Sequence, residues 1–516
     1  MWVFRSGGLA RLPKDAGLSR EGGLVPFVTM LRSRLLVVLA WIVILGCIWF
    51  KFYRERKGEE VTEPEAAAES VKAAEESVAA GIDTGEWVDF RVNLLARVVL
   101  MMEHLDAMNP QGGGMGVSSQ LEPLCISKDP IEQLVGAALL ARTGHFERAQ
   151  VVSAEALEAA RAMDAPERVG TVALAESVSR VINALSPESA GHVSVAPSDQ
   201  EFIEARLGFT GKLLVSKATP DPAFEAEVGS VPSRLMLAIG GFLLFAGVAG
   251  IVGCVWLGML VARAVRGRLS LYCQGASAGG ASVVWIFAGW FATTLLLAMA
   301  VDEFLDLDRT MWDGAGLTLH FVAMLLPMGA LAIPRLSGVP WSEAKRDIGL
   351  HFGAGFWREA GHGVLVYASA MPLLVMGAII ALVMSAIAGG GIEEASHPIQ
   401  QAMAEGGIAE RAALYFIAAV LAPIIEEILF RGALYRHLRE ATQGAGAVIS
   451  IALSAFLSSL VFAAIHPQGV FFIPILGALA VAFCIGRETR GSLIAPMVAH
   501  GMNNAIILTV GIVVAS

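Results

Sequence analysis

The sequence predicts an all-α, polytopic membrane protein of about nine transmembrane helices with a helical extramembrane domain. Three observations lead there. Mean hydropathy is +0.63, and the 516-residue chain is 55% hydrophobic but only 16% charged. Apolar runs close to the ~20 residues that a bilayer demands recur from Leu235 to the end. Ahead of them, residues 54–232 are rich in Ala and Glu and poor in aromatics, which is soluble in character. The net charge of −10 leaves no basic footprint, so nucleic acid is excluded as a partner. Of five cysteines, only Cys125 lies clearly outside an apolar run, so no disulfide framework or Cys-x-x-Cys metal or redox site is expected.

Residues 1–33 lack helical periodicity and read as a poorly ordered cytoplasmic tail. The apolar run 34–50 follows Arg32 and Arg34 and ends abruptly at Lys51. No A-x-A cleavage site follows, so it reads as a retained signal-anchor helix. Ile44-Leu-Gly-Cys47 loosely resembles a lipoprotein cleavage box, but the apolar Ile-Trp-Phe after the cysteine argues against processing.

In the 54–232 region, Thr62 and Glu65 have capping-box spacing at the start of a charged helix running to Ala79. Trp87 to Met108 reads as an amphipathic helix. Gly112-Gly-Gly-Met-Gly reads as a loop, because a phosphate cradle needs a flanking strand and helix that are not evident. Ile131–Arg142 and Phe146–Met163 form a helix pair broken at Gly144. The string Gly144-His-Phe-Glu-Arg-Ala149 with Ala156 resembles half of a tetratricopeptide-type repeat, although an ordinary helical hairpin explains a single copy. This domain could dock a protein partner.

Further spans are expected at 235–261, 279–300, 316–334, 361–388, 411–432, 449–466, 470–486 and 492–514. They divide into transmembrane helices at 235–338 and a C-terminal membrane domain at 340–516. Trp341 to Arg358 is amphipathic and suits a helix on the membrane interface. Basic residues cluster in alternate loops: Arg263, Arg266 and Arg268; Lys345, Arg346 and Arg358; Arg436 and Arg439; Arg487 and Arg490. The intervening loops are acidic, at 302–313 and 393–405. Span counting places all four basic clusters on the side of the N-terminus. The positive-inside rule makes that side cytoplasmic and the 54–232 domain extracytoplasmic, in a multi-pass protein of the plasma membrane. The basic cluster Lys51, Arg54, Arg56 and Lys57 dissents.

The chemistry concentrates in Pro423-Ile-Ile-Glu426-Glu427-Ile-Leu-Phe-Arg431, three charges inside an apolar helix. Intramembrane charges mark function by default, since each costs roughly 3 kcal/mol at mid-bilayer. Neighbours on a helix are about 100° apart, so Glu426 and Glu427 cannot both face one cavity squarely. Glu427 is four residues before Arg431, the favoured spacing for an ion pair, and reads as its structural partner. Glu426 is then free to face water as a general base. His500 and Asn504, also four apart, project together from the last span, and His466 stands just before the helix-breaking Pro467. Together these groups suit water attack on an amide: Glu426 deprotonates the water, His466 orients it, and His500 with Asn504 donates to the oxyanion. The depths do not agree. Glu426 and His500 are expected near the cytoplasmic face, whereas His466, at the far end of a span from 449, is expected near the outer one.

Glu426-Glu-x-x-x-Arg431, Phe462-x-x-x-His466 and His500-x-x-x-Asn504, in that order on membrane helices, resemble the three-motif signature of the CAAX-protease and bacteriocin-processing family of intramembrane proteases. The resemblance runs from about Pro340 to the C-terminus, with Asp347-Ile-Gly-Leu350 resembling the start of that domain. It implies an intramembrane endopeptidase with Glu426, His466, His500 and Asn504 as catalytic residues. The substrate would be a peptide or protein in or at the bilayer. Family members are described both as metal-free glutamate proteases and as metalloproteases. No cofactor is therefore expected, and zinc held by Glu426, His466 and His500 is the alternative. There is no H-E-x-x-H helix, no aspartate pair in the later spans and no Gly-x-Ser-Gly context for Ser454, Ser458 or Ser459, so other intramembrane protease classes fit worse. A membrane transporter and a catalytically inactive scaffold or immunity-type protein are the alternatives to an enzyme. No inverted repeat supports the former, and the intact polar set argues against the latter.

Overall fold

A computed structural model describes residues 34–49, 90–108, 117–163, 165–187, 195–277, 279–304, 314–388 and 408–515. Among them there is no strand, and the chain is an all-α integral membrane protein. In chain order the helices are α1 (Arg34–Trp49), α2 (Phe90–Met108), α3 (Val117–Cys125), α4 (Pro130–Arg142), α5 (Phe146–Arg161), α6 (Ala165–Leu185), α7 (Pro197–Ala218), α8 (Pro222–Val265), α9 (Ser282–Phe304), α10 (Gly314–Leu325), α11 (Trp341–Ile348), α12 (Phe356–Ala388), α13 (Ile408–Ala445), α14 (Ala447–Ala464), α15 (Val470–Arg490) and α16 (Ile494–Ala515).

Among the described residues, seven helices are long and apolar enough to cross a membrane, namely α8, α9 and α12 to α16. An eighth span arises if Phe321–Leu336 is counted with α11, across a bend of 118°. Each matches an expected span. The ninth expected span, at 34–50, coincides with the apolar helix α1, which is too short to be counted with them and whose Ala40 and Ile44 are fully buried against Phe287, Phe430 and their neighbours. The expected interfacial helix at 341–358 stops at Ile348, because Gly349 takes a left-handed conformation (φ 85°). The tail 1–33, the 62–79 helix and its capping box, the Gly112–Gly116 loop and the acidic 393–405 stretch lie outside the described residues.

The extramembrane helices α2 to α7 pack around Leu134, Leu139, Val152, Leu174, Val178 and Leu214. Two starts share one device: Asp129 and Asp221 each accept the backbone N–H two residues on, at 2.8 and 2.9 Å, with proline at the first helical position. The α4–α5 hairpin turns at Gly144 (φ 86°), as its sequence implied, and Ala149 and Ala156 are fully buried in it. Between α6 and α7, the Arg180 guanidinium bonded to Asp199 holds that carboxyl below its usual range. Helix α8 joins this domain to the membrane. At 1.5 Å per residue its 44 residues span about 66 Å, roughly twice the hydrocarbon core. Its first turns bury Val228 and Val231 in the helical domain, and beyond them Gly253 and Trp256 are buried against α12 while most other positions present exposed apolar surface suited to lipid.

Within the membrane region, small residues set the crossings. A Cβ on Gly253 of α8 would lie 2.1 Å from the Ala368 carbonyl oxygen of α12, and one on Gly377 of α12 would lie 2.6 Å from that of Pro474 on α15. Such backbone approach replaces the hydrophobic drive that lipid cannot supply.

Arg263, Arg266, Arg268, Lys345, Arg346 and Arg358 are exposed, but the third and fourth basic segments are not solvated loops. Arg436 pairs with Asp347 at 3.0 Å and donates to the Gly275 carbonyl at 3.1 Å. Arg439 and Tyr435 converge on Glu488 at 3.0 and 2.9 Å, and Arg490 grips Glu359 at 2.7 and 2.8 Å. Arg487 donates to the Asp347 carbonyl at 2.8 Å. This network ties the segments before α9, α12, α14 and α16 together. Removing one partner of a buried pair leaves its mate uncompensated, at about 3–5 kcal/mol. Glu488→Leu is therefore expected to lower the melting temperature and membrane abundance sharply, as read by fluorescence-detected size exclusion, whereas substitutions of exposed Arg266 should leave both unchanged.

Candidate active site

The polar centre is built by α13, α14 and α16, with α15 behind it. Helix α13 is not uniform: π-helical turns at Ile417–Leu421 and Ile428–Leu434 flank an α-helical Ala422–Glu427. π-turns inside helices often occur at functional sites because they re-aim side chains. Between them stand Glu426 and Glu427.

The two carboxylates lie in different surroundings. Glu427 is fully buried and accepts from Arg431 at 2.8 Å. Arg431, 1% exposed, also donates to the Ala480 carbonyl at 3.2 Å, and its guanidinium lies 4.7 Å from the ring centre of Phe462 and 5.0 Å from that of Phe483. Glu426 keeps 24% of its side chain accessible. Its Oε2 has no hydrogen-bond partner and is approached by His500 Nε2 at 3.7 Å and His466 Nε2 at 3.9 Å.

The two imidazoles are oriented from behind. His466 Nδ1 lies 2.6 Å from the Phe462 carbonyl, which can only accept, so Nδ1 carries the proton. His500 Nδ1 lies 3.0 Å from Glu427 Oε1 and likewise donates. In the neutral rings both Nε2 lone pairs are thereby turned toward Glu426. Glu427 has two tasks, pairing with Arg431 and fixing His500. The Phe462 ring packs on His466 (centroids 4.3 Å) and on His500 (5.8 Å), and Phe483 stacks on His500 at 5.0 Å and 24°.

The mismatch in depth disappears once α13 is followed to its end. The span expected at 411–432 continues as helix to Ala445, with Arg436 and Arg439 buried rather than in a loop. Glu426 and His466 are equidistant in sequence from the turn at Gly446 (φ 84°), so the antiparallel α13–α14 hairpin brings them level. Asn504 is placed differently from its neighbours. Its Nδ2 donates to the Ala418 carbonyl at 2.8 Å, and its Oδ1 accepts from Asn503 at 3.2 Å. Of the other histidines, His437 accepts from Trp41 Nε1 at 3.3 Å and so clamps α1, while His351 and His362 make local backbone bonds. Phe483 and the Pro423–Asn504 relation were missed in the sequence. Phe483 had no signal there, since any apolar residue suits its helix.

Two imidazole nitrogens and a carboxylate are zinc-type donors. Among the described residues, however, no group of three His, Cys, Asp or Glu side chains is placed to hold an ion.

Fold and site together set a carboxylate facing two oriented imidazoles inside a helical bundle. Residues 408–506 match the family model described as Rce1-like, type II CAAX prenyl endopeptidase. The C-terminal part of the chain, including Glu426, His466, His500 and Asn504, is thus similar to CAAX-type intramembrane proteases. No curated protein and no solved structure matches the chain.

Replacing Phe483 by Leu keeps an apolar residue but removes the ring stacked on His500. Stacked pairs contribute about 0.5–1.5 kcal/mol beyond burial. A fall in turnover of up to about 10-fold is expected, with membrane abundance retained, measured by cleavage per mole of purified protein.

Proposed function

We propose that the protein is an endopeptidase that cleaves a peptide bond of a membrane-associated protein by glutamate-activated water. The observation that carries this reading is the convergence of His466 Nε2 and His500 Nε2 on Glu426 Oε2 at 3.9 and 3.7 Å. These are three acceptors, and a water molecule is the smallest group that can donate among them. At these separations it fits about 2.8 Å from the carboxylate and from an imidazole.

The step follows from the placement. Water held by Glu426 and a histidine attacks the scissile carbonyl carbon, and Glu426 takes its proton. The carbonyl π-bond opens to an oxyanion, which His500 stabilises once Nε2 has taken a proton from solvent, the imidazolium being balanced by Glu427. The C–N bond then breaks as Glu426 returns the proton to the leaving nitrogen, giving a carboxylic acid and an amine, and His500 gives its proton back to solvent. His466, fixed by Phe462, orients the water. No step is routed through a metal, given the placement of the donors. Substrate would reach the centre from the bilayer or its surface, and the helical domain on α8 is free to dock a protein partner. We place the protein in the plasma membrane with its N-terminus cytoplasmic, from the distribution of basic residues.

Glu426→Gln, His466→Ala and His500→Ala are each expected to abolish cleavage while the protein still accumulates in the membrane. The substrate is found by comparing the membrane proteomes of cells carrying wild type and Glu426→Gln. Full activity in Glu426→Gln would end the assignment. Activity is also expected to survive a strong chelator; its loss, with recovery on adding zinc, would instead favour the metal alternative.

A further inference from the structure

Asn504 does not face Glu426 as His500 does, and the reason lies in Pro423. In the π-helical turn Ile417–Leu421 the Ala422 N–H bonds back to the Ile417 carbonyl. The Ala418 carbonyl, next in register, is due the N–H of residue 423 and finds a proline, which has none. Its α-register donor would be Ala422 N–H, already engaged with Ile417. A backbone carbonyl inside a bilayer cannot remain unpaired without a cost of several kcal/mol. Asn504 Nδ2 supplies the missing donor at 2.8 Å. One turn earlier on α16, Gly501 lets the same stretch approach: a Cβ there would lie 2.6 Å from the Ala419 carbonyl oxygen. Asn503 accepts no part of this bond but donates to Asn504 Oδ1 at 3.2 Å, which fixes the carboxamide with Nδ2 toward Ala418.

We infer that Asn504 is a positioning residue, which replaces the backbone donor lost at Pro423 and thereby locks α16, with His500, in register against the helix that carries Glu426. His500 and Asn504 sit one turn apart on one face of α16, and Pro423 and Glu426 are a turn apart on α13. The bond therefore joins the two helices next to the reacting groups. This inference rests on the endopeptidase reading for its effect on activity, but not for the bond itself.

The test is a double-mutant cycle on the full-length protein: wild type, Asn504→Ala, Pro423→Ala and the pair, each measured for melting temperature in detergent and for cleavage. Asn504→Ala alone is expected to lower kcat about 10- to 100-fold, as for groups that orient a reacting ligand, with KM little changed, and to lower the melting temperature. In the Pro423→Ala background a backbone N–H again reaches the Ala418 carbonyl. Removing Asn504 there is expected to cost less than about threefold in kcat, with little further melting shift. Equal losses in both backgrounds would overturn the inference and leave Asn504 as a donor to substrate. If Pro423→Ala does not fold, Asn504→Asp decides. A carboxylate cannot donate and repels the carbonyl, so it should melt lower and cleave more slowly than Asn504→Ala, and the reverse order would overturn the inference. The melting data do not depend on the protease reading, which Glu426→Gln tests separately.

Discussion

The pair Glu427–Arg431 is the constraint on which the rest of the membrane domain depends. Two full charges are buried at 0% and 1% exposure, and neither could stay there alone. Desolvation makes such a pair weak as a net stabiliser but severe when broken, so it acts mainly as a device that permits one arrangement and penalises others. Arg431 must meet Glu427, the Ala480 carbonyl and the faces of Phe462 and Phe483 together, which fixes α13, α14 and α15 around one guanidinium. Glu427 passes that order on to α16 through His500. Glu426, one residue away and about 100° round the helix, is left with accessible surface and two imidazoles opposite it. Proximity and orientation, rather than any unusual residue, make the centre suited to hydrolysis.

The same logic works at a second level. The layer of Asp347, Glu359, Glu488 and their arginines closes one end of the bundle and sets the length of the α13–α14 hairpin. That length puts Glu426 level with His466. A loop in place of the helical 435–445 segment would have separated them by most of the membrane. Two charge networks, one inside the bundle and one at its end, therefore fix the depth and the facing of the reacting groups.

Much of this was legible in the sequence because it depends on short-range periodicity. Apolar run length gives the spans, and the i, i+4 rule pairs Glu427 with Arg431 and leaves Glu426 apart. What was not legible depends on pairings distant in the chain. Arg436 and Arg439 look like loop residues until Asp347 and Glu488 are brought to them from 89 and 49 residues away. Charge alone cannot distinguish a solvated arginine from a buried paired one. His500 was expected to serve the oxyanion directly, and its bond to Glu427 could not be read from spacing on separate helices. Pro423 was visible as a helix irregularity, but which carbonyl it orphaned depended on the π-register, which no apolar pattern reports. The role of the 54–232 region stayed closed for a different reason. Among its described residues there is a core but no polar constellation that points to one chemistry.

The account stands on the buried pair as an organiser, and one cycle tests that most directly: Glu427→Met, Arg431→Met and the double variant, compared for melting temperature and cleavage. If the pair organises by mutual compensation, each single change strands a charge, and the double variant should melt well above either. It should still not cleave, because His500 has lost the carboxylate that orients it. A double variant that melts no higher than the worse single variant, or one that cleaves at the wild-type rate, would contradict the account.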